Sequence, residues 1–113
     1  VIHVTHKTHP TIIGDDVSVG HSVTLHGCRV QDGCLIGIGA ILLDGVDVGE
    51  SSMIAAGSLL TPGTKIPPRS LVMGSPACVR KELTDAECAN FHAIAERYIQ
   101  YQEDYRTRVK RID

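Results

Sequence analysis

The sequence predicts a mostly β chain: a parallel β-solenoid whose short strands turn a corner every six residues, followed by a C-terminal α-helix. Three observations carry this. Aliphatic residues recur at Val30, Ile36, Leu42, Val48, Ile54, Leu60, Ile66 and Val72, a spacing of six with no miss. Four residues after each repeat aliphatic sits a small or β-branched residue, among them Val17, Val23, Cys34, Ala40, Val46, Ser52, Ser58, Thr64 and Ser70. Aromatics are scarce (one Phe, three Tyr, no Trp) and all lie beyond residue 90, so residues 1–80 must fill a core with aliphatics and small side chains. A period of six fits neither an amphipathic helix nor alternating strands joined by hairpins, but it suits a solenoid with small residues inside its corners. A β-sandwich would need turn clusters at regular, longer intervals than one hexad, and the sequence lacks them.

Taken in order, the repeat begins upstream of the unbroken run. Ile13, Val19 and Leu25 keep the same spacing, and a single five-residue step joins Leu25 to Val30. This pattern resembles the hexapeptide-repeat left-handed β-helix, in which three hexads make one triangular coil. Eleven hexads from Ile13 to Val72 then give about three and a half coils. Val1-Ile2-His3-Val4 already reads as repeat material with no initiator Met before it, so residues are expected to be missing upstream. Cys34 falls on the small inward position, and so does Cys28 counted two residues before Val30; both are expected as buried core filler. After the solenoid, Pro67-Pro68 and Gly74-Ser75-Pro76 are expected to break any strand. Thr84-Asp85-Ala86-Glu87 reads as a capping box opening a helix. Cys88, Ala95, Gln102 and Val109 alternate with Phe91, Tyr98, Tyr105 and Ile112 in an apolar stripe, which should lie along the solenoid or a neighbouring subunit. His92 lies off that stripe and is expected at the surface. The organisation is therefore a solenoid over 1–80 and a helix over 84–112.

Composition excludes several function classes. Eleven basic and thirteen acidic residues give a net charge of −2, with no basic block before Arg106, which argues against nucleic acid or a polybasic membrane surface as partner. No apolar run approaches the length needed to span a bilayer, and no signal-like segment opens the chain. Four cysteines without a CxxC pair point to reduced thiols in a cytoplasmic compartment.

Function is concentrated in histidine. Five of the six histidines fall between His3 and His26. In the hexad frame His3 follows Ile2 directly and His26 follows Leu25 directly. One coil is three hexads long, and the step from Ile2 to Leu25 exceeds it by five, so that surplus must loop out around His6 to Thr11. The excision stacks His3 and His26 on one face, one coil apart, at the spacing of neighbouring strands (about 4.8 Å). Two imidazoles so placed can share a metal. His21, two residues after Val19, belongs to the preceding face. A three-fold trimer would let it reach a neighbouring chain's ion, giving three histidines and one open position, the pattern of a catalytic zinc. His6 and His9 find no partner in the frame and are assigned to the loop, with a weak claim to proton shuttling.

The stretches Val1-Ile2-His3-Val4-Thr5-His6, Ile13-Gly14-Asp15-Asp16-Val17-Ser18-Val19-Gly20-His21, Leu25-His26-Gly27-Cys28 and Ile36-Gly37-Ile38-Gly39-Ala40 resemble the gamma-class carbonic anhydrases and, more closely, their bacterial gamma-carbonic-anhydrase-like subgroup. Gly74-Ser75-Pro76-Ala77 and Leu83-Thr84-Asp85-Ala86-Glu87 extend the likeness over nearly the whole chain. The resemblance implies a homotrimer with zinc at intersubunit sites. His3, His21 and His26 would be the ligands, with His21 offered to the neighbour's ion, and metal-bound hydroxide would attack carbon dioxide to give bicarbonate. Fe2+ or Co2+ would also suit imidazole ligands. Tyr98 matches loosely a family tyrosine near the metal. Two departures stand out: the chain starts after the family's upstream Arg, Asp and Gln/Asp pair, and its short loop holds His6, Lys7 and His9 in place of a proton-relaying Glu. Weak hydration activity is the expectation. The rival readings are a hexapeptide-repeat acyltransferase, a zinc-assisted thioester hydrolase, and a non-catalytic assembly subunit.

Overall fold

A computed structural model of the chain describes residues 1–108. The repeat aliphatics up to Ile66 sit on two- and three-residue strands, and Val72 on a five-residue one, and together these strands close three sheets around one core. The first sheet is ordered β1 (Ile2–His3), β4 (Thr24–His26), β7 (Ile41–Leu42) and β10 (Leu59–Leu60). The second holds β2 (Ile12–Ile13), β5 (Arg29–Val30), β8 (Asp47–Val48) and β11 (Lys65–Ile66). The third holds β3 (Ser18–Val19), β6 (Leu35–Ile36), β9 (Met53–Ile54), β12 (Ser70–Gly74) and β13 (Ala77–Glu82). From β1 to β12 sequential strands fall on different sheets and strands one coil apart pair in parallel, so the chain winds as a β-solenoid. The pairs Leu25↔Leu42 and Val30↔Val48 set the coil register.

The core follows from this register. Leu25, Val30, Ile36, Leu42, Val48, Ile54, Leu60 and Val72 are fully buried, and Cys28, Cys34, Ala40, Val46, Ser52 and Ser58 fill the spaces between them. The small positions do more than save volume. Ser52 and Ser70 donate their hydroxyls to the Pro67 carbonyl at 3.2 and 2.8 Å, and Ser58 donates to the Ala55 carbonyl at 2.6 Å. A buried hydroxyl without such a partner would cost about 1–3 kcal/mol.

Gly74-Ser75-Pro76 breaks the strand as expected, between β12 and β13. The segment is a turn, and the chain returns as β13, antiparallel to β12, with Ser70↔Glu82 and Gly74↔Ala77 as outer pairs. After it, α1 (Asp85–Arg108) opens with the reciprocal cap read from the sequence. Glu87 N–H donates to Thr84 Oγ1 at 3.2 Å, and Thr84 N–H donates to Glu87 Oε1 at 3.1 Å. Leu83, Cys88 and Phe91 pack against Leu35, Met53 and Leu71 on the outer face of the third sheet. Burial along the stripe reaches Ala95, while Ile99 and Tyr101, off the stripe, are both 56% exposed. The side chains of Tyr98, Gln102 and Tyr105 lie outside the described part, as do Val109 and Ile112 altogether. No helix among the described residues is long and apolar enough to cross a membrane.

Candidate metal centre

The centre is built on the first sheet. β1 pairs β4 with His3 opposite His26, although a full coil and a five-residue surplus separate them along the chain. The surplus is a small loop: Thr5 and His9 form an antiparallel bridge, with His9 N–H donating to the Thr5 carbonyl at 3.1 Å. Thr11 secures the other end. Its hydroxyl donates to the His3 carbonyl and accepts the Gly27 N–H at 2.9 Å.

With the backbones so fixed, the two imidazoles stack, ring centroids 5.1 Å apart and planes at 27°. His3 Nδ1 and His26 Nε2 approach to 3.1 Å. On its other side, His26 Nδ1 donates to Asp44 Oδ1 at 2.7 Å. An ionised carboxylate only accepts, so Nδ1 of His26 carries the proton and Nε2 is left with its lone pair. Thr5 Oγ1 donates to the other carboxylate oxygen of Asp44 at 2.5 Å. These two hydrogen bonds, Thr5 first, hold the Asp44 carboxyl below the usual carboxylate range.

Asp44 is the candidate site residue that sequence reasoning missed. It lies 18 residues beyond His26, but the five-residue step from Leu25 to Val30 shortens this coil, so Asp44 stands one coil beyond Gly27, next to the His26 column, and that count was the available signal. Gly27 is what lets it in. A Cβ added at Gly27 would come within 2.2 Å of Asp44 Oδ1 and 2.8 Å of His9 Cβ, and its φ is +61°. His9 is therefore packed over this turn beside Asp44, while His6 is exposed in the loop.

The donor set fits a metal ion at the pair. Two nitrogens each about 2.0–2.1 Å from one zinc lie roughly 3 to 3.5 Å apart, and here the separation is 3.1 Å. The carboxylate behind His26 is the usual orienting partner of a ligating imidazole. His21 is not part of this cluster. It is exposed at the corner after β3, on the third sheet, where it lines a cleft of about 620 Å³ with Val19, Ile38, Ala95 and Ile99. Among the described residues of one chain, no group of three or more His, Cys, Asp or Glu side chains is placed to hold an ion. Tyr98 lies on α1, its side chain outside the described part.

No protein-family model matches the chain. Over 103 residues it is 48% identical to the "Probable carbonic anhydrase" of Methanocaldococcus jannaschii, covering 91% of this chain and 64% of that protein. Over 92 residues it is 48% identical to "Gamma carbonic anhydrase 1, mitochondrial" of Arabidopsis thaliana, covering 81% of this chain and 34% of that one. The crystal structure of a hexapeptide transferase family protein from Anaplasma phagocytophilum superposes with a TM-score of 0.86 at 36% identity, over 93% of this chain and 61% of that chain. The chain thus spans between about a third and just under two thirds of the curated relatives' own length. The solenoid agrees with these likenesses, and the chain belongs to the gamma-carbonic-anhydrase-like family of hexapeptide-repeat proteins.

Proposed function

We propose that the chain is a zinc-dependent carbonic anhydrase-like enzyme acting on carbon dioxide and bicarbonate, with its metal held between subunits of a homotrimer. The observation that carries this is the stacked His3–His26 pair, whose facing nitrogens stand 3.1 Å apart with Asp44 behind. His3 through Nδ1 and His26 through Nε2 would hold the ion, and His21 of a neighbouring copy would complete the set. When bound, zinc supplies the Lewis acidity that makes a water nucleophilic near neutral pH, and Fe2+ or Co2+ could substitute at imidazole ligands. The relatives named carbonic anhydrases support the reaction class.

This chain's own residues set the limits. The Thr5–His9 loop offers His6 and His9 and no carboxylate to take a proton, so proton export should depend on buffer. Tyr98 belongs to the proposal as an additional candidate only. Four free thiols suit a reducing compartment such as the cytoplasm.

The test is zinc reconstitution followed by metal analysis, solution mass and a carbon dioxide hydration assay. Bound zinc, a trimer mass, and slow hydration partly rescued by imidazole buffer are expected. His21→Ala should lose zinc while each chain stays folded. A chain that takes up no zinc would instead favour acyl transfer with one histidine as base. The likeness to a hexapeptide transferase supports that reading, and a second, stacked histidine speaks against it.

A further inference from the structure

We propose that Asp44 is the positioning residue of the histidine pair: it holds the His26 ring with the proton on Nδ1, so that the Nε2 lone pair is aimed at His3. The geometry stands without any metal; its consequence for metal affinity rests on the function proposed above.

An imidazole on a strand one coil below its partner can rotate and can carry its proton on either nitrogen. Which nitrogen is free is set by the hydrogen bond that the other makes. His26 has one such partner, Asp44 Oδ1 at 2.7 Å. Asp44 is itself fixed, because Thr5 Oγ1 occupies its second oxygen at 2.5 Å. The approach is shaped by Gly27, where a Cβ would stand 2.2 Å from Oδ1. Remove the carboxylate and two things change. The ring loses its only orienting bond on that side, and the proton is free to move to Nε2, where it would point at His3 Nδ1, 3.1 Å away. A ligand nitrogen that carries a proton binds no metal until that proton leaves.

A structural role for Asp44 is the competing explanation, since Thr5 ties the 5–9 loop to it. Thr5→Val separates the two. It frees the loop from Asp44 but leaves the Asp44–His26 bond untouched. Asp44→Asn keeps the shape and an accepting carbonyl oxygen without the charge, and guards against a variant that fails to fold.

The experiment uses the full 113-residue chain. Nitrogen-15 NMR at about pH 8, above the ordinary imidazole range, reads the His26 tautomer in metal-free protein. Competition with a chromophoric chelator reads zinc affinity. Wild type should carry the proton on Nδ1, and Asp44→Ala should move a large share of it to Nε2 and weaken zinc binding about 10–100-fold. Asp44→Asn should fall between the two, and Thr5→Val should keep the tautomer and lose far less affinity. An unchanged tautomer in Asp44→Ala overturns the proposal. So does a loss of zinc in Thr5→Val equal to that in Asp44→Ala, because Asp44 would then act only as a loop anchor. If wild type binds no zinc but the tautomer still shifts in Asp44→Ala, the positioning role stands and the metal reading falls.

Discussion

Replacing Gly27 by Ala should damage the chain more than the same change at Gly63, and the difference measures how tightly the site is packed. Both residues have positive φ, +61° and +78°, so an L side chain meets the same backbone strain at each, about 1–2 kcal/mol. They differ in surroundings. A Cβ at Gly63 meets no atom within 4 Å, whereas at Gly27 it meets Asp44 Oδ1 at 2.2 Å, Asp44 Cγ at 3.0 Å and His9 Cβ at 2.8 Å. The carboxylate cannot swing aside freely, being bonded to Thr5 and His26, so the loop and the turn must move. Forcing extra atoms into a fitted site costs typically about 1–3 kcal/mol. Gly63→Ala should therefore lose about 1–2 kcal/mol and Gly27→Ala about 2–5 kcal/mol. Urea unfolding followed by far-UV circular dichroism gives both from their midpoints, provided the slopes agree and protein concentration is held constant. Equal losses would refute the reasoning, because strain alone would then account for both.

Leu42→Ala should cost about 2–5 kcal/mol in the same assay, since Leu42 is fully buried and stands between Leu25 and Leu60 on the neighbouring coils. Burial pushes the Cys28 and Cys34 thiols up to about 11 each, so a thiol reagent at about pH 8 should label exposed Cys78 quickly and these two only as the chain unfolds. Rapid labelling of Cys34 in folded protein would contradict its inward position. The Thr84 N–H and then Lys81 hold Glu87 below the usual glutamate range, so its contribution is complete above that range and is lost as pH falls through the lowered value. The helix signal should weaken in acid at that step, and Glu87→Gln should remove the step.

The solenoid was legible because each hexad sends the same two positions inward, so the period of the fold is written directly as a period of side chains. What the period could not convey was depth. Ile13 and Val19 keep the repeat yet are 37% and 43% exposed, because β2 and β3 are the outermost strands of their sheets and have a neighbour on one side only. The β12–β13 hairpin escaped because Gly74-Ser75-Pro76 signals a break, and a local signal cannot say whether the chain leaves the sheet or turns back onto it. At the site, His3 and His26 were found by counting coils, and Asp44 stands one coil beyond Gly27, the residue that follows His26. It went unnoticed because an acidic residue at a solenoid corner is ordinarily solvated, and only the approach permitted by Gly27 turns it toward an imidazole.

His21 and His26 are close in sequence, but they lie on either side of a corner: His21 follows β3 on the third sheet and His26 ends β4 on the first. Local rearrangement cannot merge them, because Val23 and Leu25 between them are 4% and 0% exposed and are anchored in the core. If His21 is a ligand, it therefore serves another copy, and zinc binding and assembly must be linked. Each must strengthen the other by the same free energy. Zinc should raise the fraction of trimer at low protein concentration, and dilution should weaken zinc binding in wild type. In His21→Ala both effects should vanish together while the His3–His26 pair remains. Analytical ultracentrifugation with and without zinc, across a dilution series, measures the linkage. A monomer that holds one zinc per chain with undiminished affinity would break it, and the ion would then belong to His3 and His26 without help from a neighbour.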